Sequence, residues 1–197
     1  MLQKGTKASY FEGLDENGNT VKQTHGSNPV RTICLQYYDA PCGRLRIGAI
    51  EGKLCLCDWD DGWHWKATEN RLKRVLKAGF VGETTEVIEI ARRQLVEYFR
   101  RERQTFDLPL LFVGTDFQKL VWAELLRIPY GATISYSVMA RNIGMPKAVR
   151  AVANANGANP ISIIAPCHRV IGSDGSLTGY GGGLETKRFL LELESLH

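Results

Sequence analysis

Residues 161–170 read Ile161-Ser162-Ile163-Ile164-Ala165-Pro166-Cys167-His168-Arg169-Val170. The apolar run from Ile161 to Ala165 predicts a buried strand, and Ser173-Asp174-Gly175 predicts a turn beyond it. A cysteine fixed between a proline and a histidine at the end of such a strand reads as a nucleophile. The thiolate is the reactive species, and its fraction depends on a nearby proton acceptor or positive charge. His168 and Arg169 supply both within two residues. Neighbours on an extended chain point to opposite sides, so direct Cys167–His168 bonding needs a tight turn, and otherwise a bridging water.

Upstream of this segment the pattern is helical. Asp116 to Leu126 predicts a helix with Phe117, Leu120, Val121 and Leu125 inward. Ser135 caps a short helix from Tyr136 to Ile143 that Gly144 ends, and Pro146 starts another that Gly157 ends. Two helices joined by a short turn read as a helix-turn-helix. On the second helix Lys147, Arg150, Ala151 and Asn154 share one face, with Val149 and Val152 on the other. An exposed face of small residues flanked by polar ones can approach a nucleic-acid groove closely. Downstream, Tyr180-Gly181-Gly182-Gly183 predicts a mobile loop, without the following Lys-Ser/Thr of a phosphate loop. A closing helix from Leu184 to Leu196 sets Glu194 one turn beyond Leu190 and Leu191. A carboxylate beside that stripe is expected to be partly buried and paired.

The first half of the chain has a different rhythm. Residues 1–30 are polar with no sustained period and read as a loose extension. From Arg31, alternation at Ile33, Leu35 and Tyr37, the turn Pro41-Cys42-Gly43, and the runs Leu45-Arg46-Ile47 and Leu54 to Cys57 predict an antiparallel meander. Cys55 and Cys57 would share one face as small buried side chains. A helix from Glu69 to Lys77 places Leu72, Val75 and Leu76 inward; a longer one from Thr85 to Arg101 buries Val87, Ile88, Ala91, Leu95 and Tyr98. Arg92, Arg93, Arg100, Arg101 and Arg103 read as a solvated face. Trp59, Trp63, His64 and Trp65 read as a loop packed on the sheet. The fold class is α/β in the α+β sense. A small N-terminal α/β domain (31–104) and a linker (105–114, broken by Leu108-Pro109) precede a mainly helical domain (115–197) with a winged helix-turn-helix-like motif.

Composition narrows the function. The chain has 197 residues and a net charge of only +4, so it is no blanket polycation. Its charge is placed unevenly: no acidic residue falls between Glu124 and Asp174, whereas Arg127, Arg141, Lys147, Arg150 and Arg169 do. Such a stretch suits a surface that faces phosphates. Five cysteines without a Cys-x-x-Cys pair indicate neither a disulfide framework nor a zinc site. With no signal-peptide core and no membrane-length apolar run, a reduced cytoplasmic compartment is expected, or a nuclear one in a eukaryote.

From Ile128 to Glu194 the sequence resembles the O6-alkylguanine-DNA alkyltransferases, which move an alkyl group from guanine onto their own cysteine. The matching stretches are Ile128-Pro129-Tyr130-Gly131, Ile134-Ser135-Tyr136, Pro146 to Val152, Asn159-Pro160, Pro166 to Val170, and Gly179 to Leu184. The resemblance continues more weakly back to about Thr32. It implies irreversible, single-turnover transfer to Cys167 from O6-alkylguanine in double-stranded DNA. O4-alkylthymine is a second lesion compatible with that chemistry. It further implies that His168 takes the thiol proton through a water, that Glu194 orients the imidazole, and that Tyr136 donates to the purine ring. The Gly181 backbone N–H would approach O6, at a position where the family often has serine. The groove helix carrying Ala151 would enter the minor groove, with Arg150 filling the space of the extruded nucleotide. Tyr136, Ser137 and Ser173 would contact the DNA backbone, Val170 and Tyr180 would line the base site, and Asn159, grouped with these DNA- and base-binding residues, would tie the turn between the groove helix and the active-site strand. Met145 stands where some relatives have asparagine, so a contact there is not carried over. The protein is expected to act as a monomer, without cofactor, metal or membrane.

Three other readings compete. A cysteine hydrolase with a Cys-His-Glu triad would turn over, whereas a thioether on cysteine is not regenerated by water. A non-catalytic sensor of alkylated DNA would lack the cysteine that Cys167 supplies. A damage-sensing regulator would carry a four-cysteine zinc module, and residues 1–30 contain no cysteine.

Overall fold

Five strands precede the first helix, and the last three of them wind back and forth as one sheet. The computed structural model describes residues 10–14, 20–24 and 31–195. Within the first thirty residues, β1 (Tyr10–Leu14) and β2 (Thr20–Thr24) pair antiparallel, where a loose extension was expected. That hairpin forms a unit of its own, separate from the unit that begins at Arg31.

In the larger unit, β3 (Thr32–Ala40), β4 (Gly43–Ile50) and β5 (Lys53–Trp59) form the expected meander. Pro41-Cys42 closes the first hairpin. Glu51-Gly52 closes the second with both residues at positive φ, 50° and 72°, the turn that matches strand twist. α1 (Trp65–Leu76) then leads into β6 (Gly79–Val81), which lies parallel to β3, so the sheet order is β5-β4-β3-β6. The sheet is therefore mixed rather than purely antiparallel. A three-residue strand between glycines is too short to register as alternation.

A register shift at Gly48/Ala49 also breaks the alternation in β5. Cys55 joins Leu56 in the cluster with Ile33 and Leu72, while Cys57 joins Trp59 in the main core, so the two cysteines do not share a face. α1 starts four residues before Glu69, and Val75 is exposed rather than inward. α2 (Glu86–Phe99) buries Val87, Ile88, Ala91, Leu95 and Tyr98 as its period predicts, and Thr85 caps it by accepting from Ile88 N.

The second half is mainly helical. α3 (Asp116–Leu125) opens with a Thr115/Gln118 capping box. Its inward face carries Val121, Trp122 and Leu125, whereas Leu120, expected inward, is exposed. After β7 (Ile134–Ser135), Ser135 caps α4 (Tyr136–Asn142) by accepting from Val138 N. The next helix, α5 (Val149–Gly157), starts later than Pro146. Met145 to Ala148 form a separate turn closed by Ala148 N to Met145 O at 2.8 Å, which lengthens the connection between the two helices. β8 (Val170–Ile171) runs parallel to β7, and α6 (Gly183–Ser195) closes the unit. Leu196, the expected helix end, lies outside the described residues.

One core spans both halves. α2, β4 and β5 contribute to the same buried cluster as α3, α4, α5, residues 161–170 and α6. The free edge of β5 explains this continuity. Leu54 pairs with the passing chain through Pro109 O and Leu111 N, both at 2.8 Å. Cys57 then pairs with Pro160 O (2.9 Å) and Ser162 N (2.6 Å). Residues 105–114 are thus held to the sheet and mark no break in the core. Pairing also covers an otherwise exposed strand edge. Among the described residues no helix is long and apolar enough to cross a membrane.

Candidate active site

The apolar run before Cys167 is a turn, not the expected strand. Ile161 makes one bridge to Cys57, and the chain then folds back on itself. Ile164 N bonds to Ser162 O at 2.8 Å across Ile163, whose φ is 69°. This is the rare γ-turn of positive φ, and for a β-branched residue it is strained. Cys167 N then bonds to Ala165 O at 2.8 Å across Pro166, at φ −80° and ψ 68°, a γ-turn of the favourable hand. Two tight turns in succession set Cys167 at the start of a single 3-10 turn, Cys167–Arg169. Strain of this kind costs about 1–3 kcal/mol and persists only where the surroundings over-determine it.

Buried side chains supply that restraint. Asn159 accepts from Ile161 N at 3.0 Å and donates to Ala165 O at 2.8 Å and Ile161 O at 3.3 Å. Asn156 donates to Cys167 O, and Ser162 Oγ donates to Asp58 Oδ1 at 3.1 Å. Burial pushes the Cys167 thiol up to about 11, against partial relief from hydrogen bonding by Asn159. At neutral pH the resting sulfur is therefore protonated, and reaction requires a proton acceptor.

His168 is the fully buried residue next in the chain. Its Nε2 donates to Glu194 Oε1 at 2.8 Å, which leaves Nδ1 as the bare, accepting nitrogen, without a protein partner. Burial lowers the imidazole below its ordinary value, although Glu194 works the other way. Glu194 also accepts from Tyr98 OH (2.7 Å), Arg169 Nε (2.8 Å), Arg169 Nη2 (2.9 Å) and Gly131 N (3.2 Å). Burial opposes its ionisation, yet the hydrogen bonds and charges of His168 and Arg169 hold its carboxyl far below the usual range. Arg169 also donates to Ile128 O at 2.6 Å, which makes it a brace of the loop.

Tyr136 and Tyr180 stand near enough to Cys167 for its charge to bear on both hydroxyls. Tyr136 is buried at the first position of α4, and its OH donates to Thr178 O at 3.2 Å. Tyr180 is buried, with its OH accepting from Trp59 Nε1 at 3.1 Å and its ring edge-on to His168. Val170 is fully buried in β8. Around the outside, Ser137 Oγ lies 3.1 Å from Ser173 Oγ, and both are reached from the surface. Arg150, Ala151 and Asn154 form the exposed face of α5, while Val152 and Ala155 face the core. Lys147 falls in the turn before the helix. The helix is fixed from behind by Trp122 Nε1 donating to Ala155 O at 2.8 Å and Arg71 donating to Ala158 O at 3.1 Å.

The profile of the 6-O-methylguanine DNA methyltransferase DNA-binding domain matches residues 116–196. A methylated-DNA–protein-cysteine methyltransferase of Methanosarcina barkeri is 56% identical over 161 residues, covering 80% of this chain and 96% of the relative. The chain belongs to the methylated-DNA–protein-cysteine methyltransferase family. The constitutive methylated-DNA–protein-cysteine methyltransferase of Bacillus subtilis is 43% identical over 171 residues, covering 82% of this chain and 97% of its own length. The crystal structure of the Mycobacterium tuberculosis O6-methylguanine methyltransferase superposes with a TM-score of 0.71 at 42% identity, covering 83% of this chain and 93% of that one. The same mycobacterial protein in complex with DNA superposes with a TM-score of 0.70.

In this methyltransferase the fold adds residues that sequence reasoning passed over. Lys187 is fully buried on α6, with Nζ donating to Val170 O at 2.7 Å and Thr178 O at 2.9 Å. Burial brings its ammonium down to about 8, opposed by the nearby Cys167. A helical wheel through Leu190 and Glu194 would have placed Lys187 on the same inward face. Asp58 is fully buried at the end of β5; a carboxylate inside the apolar run Leu54 to Trp59 was the available signal. The helical period places Tyr98 in the core, and the fold adds that its hydroxyl completes the Glu194 network.

Proposed function

We propose that this protein repairs alkylated DNA by moving the alkyl group of O6-alkylguanine irreversibly onto Cys167 Sγ. The observation that carries the reading is the buried Cys167 on its doubly turned loop beside His168, whose Nε2 is held by Glu194. With Nε2 so occupied, Nδ1 is the nitrogen that accepts the thiol proton, through water. The thiolate then attacks the alkyl carbon, a carbon–sulfur bond forms, and the carbon–oxygen bond breaks with its electron pair passing to guanine. Tyr136 OH, released from Thr178 O, donates to the purine ring as that charge grows, and the Gly181 N–H faces O6. Fixed donors aimed at developing charge stabilise the leaving base by the logic of an oxyanion hole. Lys187 supplies a buried positive charge near the thiolate.

The base reaches this sulfur only by leaving the duplex, at a cost of a few kcal/mol. The α5 face of Arg150, Ala151 and Asn154 supports a minor-groove approach, with Arg150 replacing the extruded nucleotide, and Ser137 and Ser173 are grouped to hold phosphate. Asn159, Val170 and Tyr180 shape the floor of the base site. The free thiol suits a reducing compartment such as the cytoplasm. The same geometry disfavours a hydrolase, since the thioether product has no route to hydrolysis. Titration with duplex DNA containing O6-methylguanine tests the reading: one methyl per protein and no further turnover supports it. Continued turnover, or binding without transfer, contradicts it.

A further inference from the structure

Asp58 and His64 join the sheet to the loop that closes the active site. Asp58 Oδ1 accepts from Ser162 Oγ at 3.1 Å, and so braces the strained turn before Cys167. Its Oδ2 lies 3.1 Å from His64 Nε2, and both side chains are buried. The His64 ring lies directly against Gly181: a Cβ built at Gly181 would stand 2.5 Å from His64 Cε1. At Gly182 a Cβ would stand 2.6 Å from Trp59 Cδ1. Trp59 in turn donates to Tyr180 OH. Residues 180–182 thus rest, without intervening space, on a platform made by Trp59 and His64, and the absence of side chains at 181 and 182 is what allows it. Real Cβ atoms do not approach heavy atoms that closely, so a side chain at 181 displaces either the loop or the imidazole.

We propose that His64, oriented by Asp58, is a positioning residue for alkyl transfer: it sets how far the Gly181 backbone N–H stands from the extruded base. The inference rests on the reading of Gly181 as the donor facing O6. It explains why glycine stands at 181 in this chain, where the imidazole fills the volume a serine side chain would take. It also gives the buried Asp58 one place between two loops, since the same carboxylate accepts from Ser162 on the Cys167 side and lies against the His64 imidazole on the Gly181 side.

The test is a double-mutant cycle on single-turnover transfer from O6-methylguanine duplex DNA, with DNA affinity measured separately. Gly181→Ala alone should slow transfer by about tenfold to a hundredfold, the effect of displacing a reacting group by a fraction of an ångström to one ångström. Its DNA affinity should stay within about twofold of the parent, because the α5 face is untouched. In His64→Ala/Gly181→Ala the added methyl has room, and the rate should recover to that of His64→Ala alone. His64→Gln, which keeps a polar side chain beside Asp58, serves as the second background if His64→Ala folds poorly. A purely structural role for His64 predicts the opposite pattern, with each double variant slower than either of its singles. That outcome, or a Gly181→Ala protein as fast as the parent, overturns the proposal. Absence of transfer by the parent protein would instead overturn the functional reading itself.

Discussion

His168 Nε2 donates to Glu194 Oε1 at 2.8 Å, and neither side chain is reached by solvent. Residues 26 apart in sequence thereby fix one tautomer of the imidazole, with Nδ1 left to accept a proton. Arg169 binds both oxygens of the same carboxylate, so Glu194 also ties the 3-10 turn at Cys167 to the closing helix.

Glu194→Gln separates charge from shape. The neutral amide leaves Arg169 as an uncompensated buried cation, which typically costs about 3–5 kcal/mol. Transfer should also slow by roughly a hundredfold or more, since the imidazole keeps a neutral acceptor for Nε2 but loses the charge that stabilises its protonated form. Urea unfolding and single-turnover rates on the folded fraction check the two effects separately.

Acid should destabilise the fold in two steps. Both His168 and Glu194 have folded pKa values below their unfolded ones. The unfolded chain therefore binds more protons as pH falls, and stability declines with acidification. His168 contributes the loss below about 6.5 and Glu194 the loss below about 4.5, the ordinary values of the two groups. Urea midpoints should stay level from about pH 8 to 6.5, fall below that, and fall further below about 4.5, a lower step that Glu194→Gln should remove. A midpoint that rises on acidification contradicts the network described here.

Arg150→Ala should slow repair of duplex DNA far more than reaction with free O6-alkylguanine base. Arg150 is exposed on α5 and is assigned to extrusion rather than bond cleavage. Comparison of the two substrates on one protein preparation checks it, and equal losses remove Arg150 from that role. Affinity for duplex should also weaken as salt rises, because phosphate contacts release counterions.

Much of this was legible because local signals and tertiary packing agree. The period of α2, the Ser135 cap and the exposed face of Arg150 and Ala151 follow from the chain alone. Pairing to β5 was not legible: the apolar run at Ile161 reads as a strand, but its second partner and the positive φ of Ile163 arise from Asn159 and Asp58 contacts made in the fold. Lys187 and Asp58 were missed for a related reason. A charged residue in isolation reads as solvated, and only the carbonyls and the hydroxyl it meets make it part of a site. The resemblance carried the roles of Tyr136 and Gly181, which no spacing rule would have supplied.

The alkylated form should melt before the fresh one. Cys167 is buried in the main core beside Ile163, Ala165 and Val170. A methyl added to a filled core site costs about 1–3 kcal/mol, which for a chain of this size lowers the midpoint by about 2–4 °C per kcal/mol. Scanning calorimetry of DNA-free protein before and after complete methylation checks it, and an unchanged midpoint means that the pocket already has room.

The most direct measurement is peptide mapping after one equivalent of O6-methylguanine duplex has reacted. The account predicts a single new methyl, on the peptide carrying Cys167, and none on Cys34, Cys42, Cys55 or Cys57, with Cys167→Ser inert. Methylation at another cysteine, or transfer that survives Cys167→Ser, would contradict it.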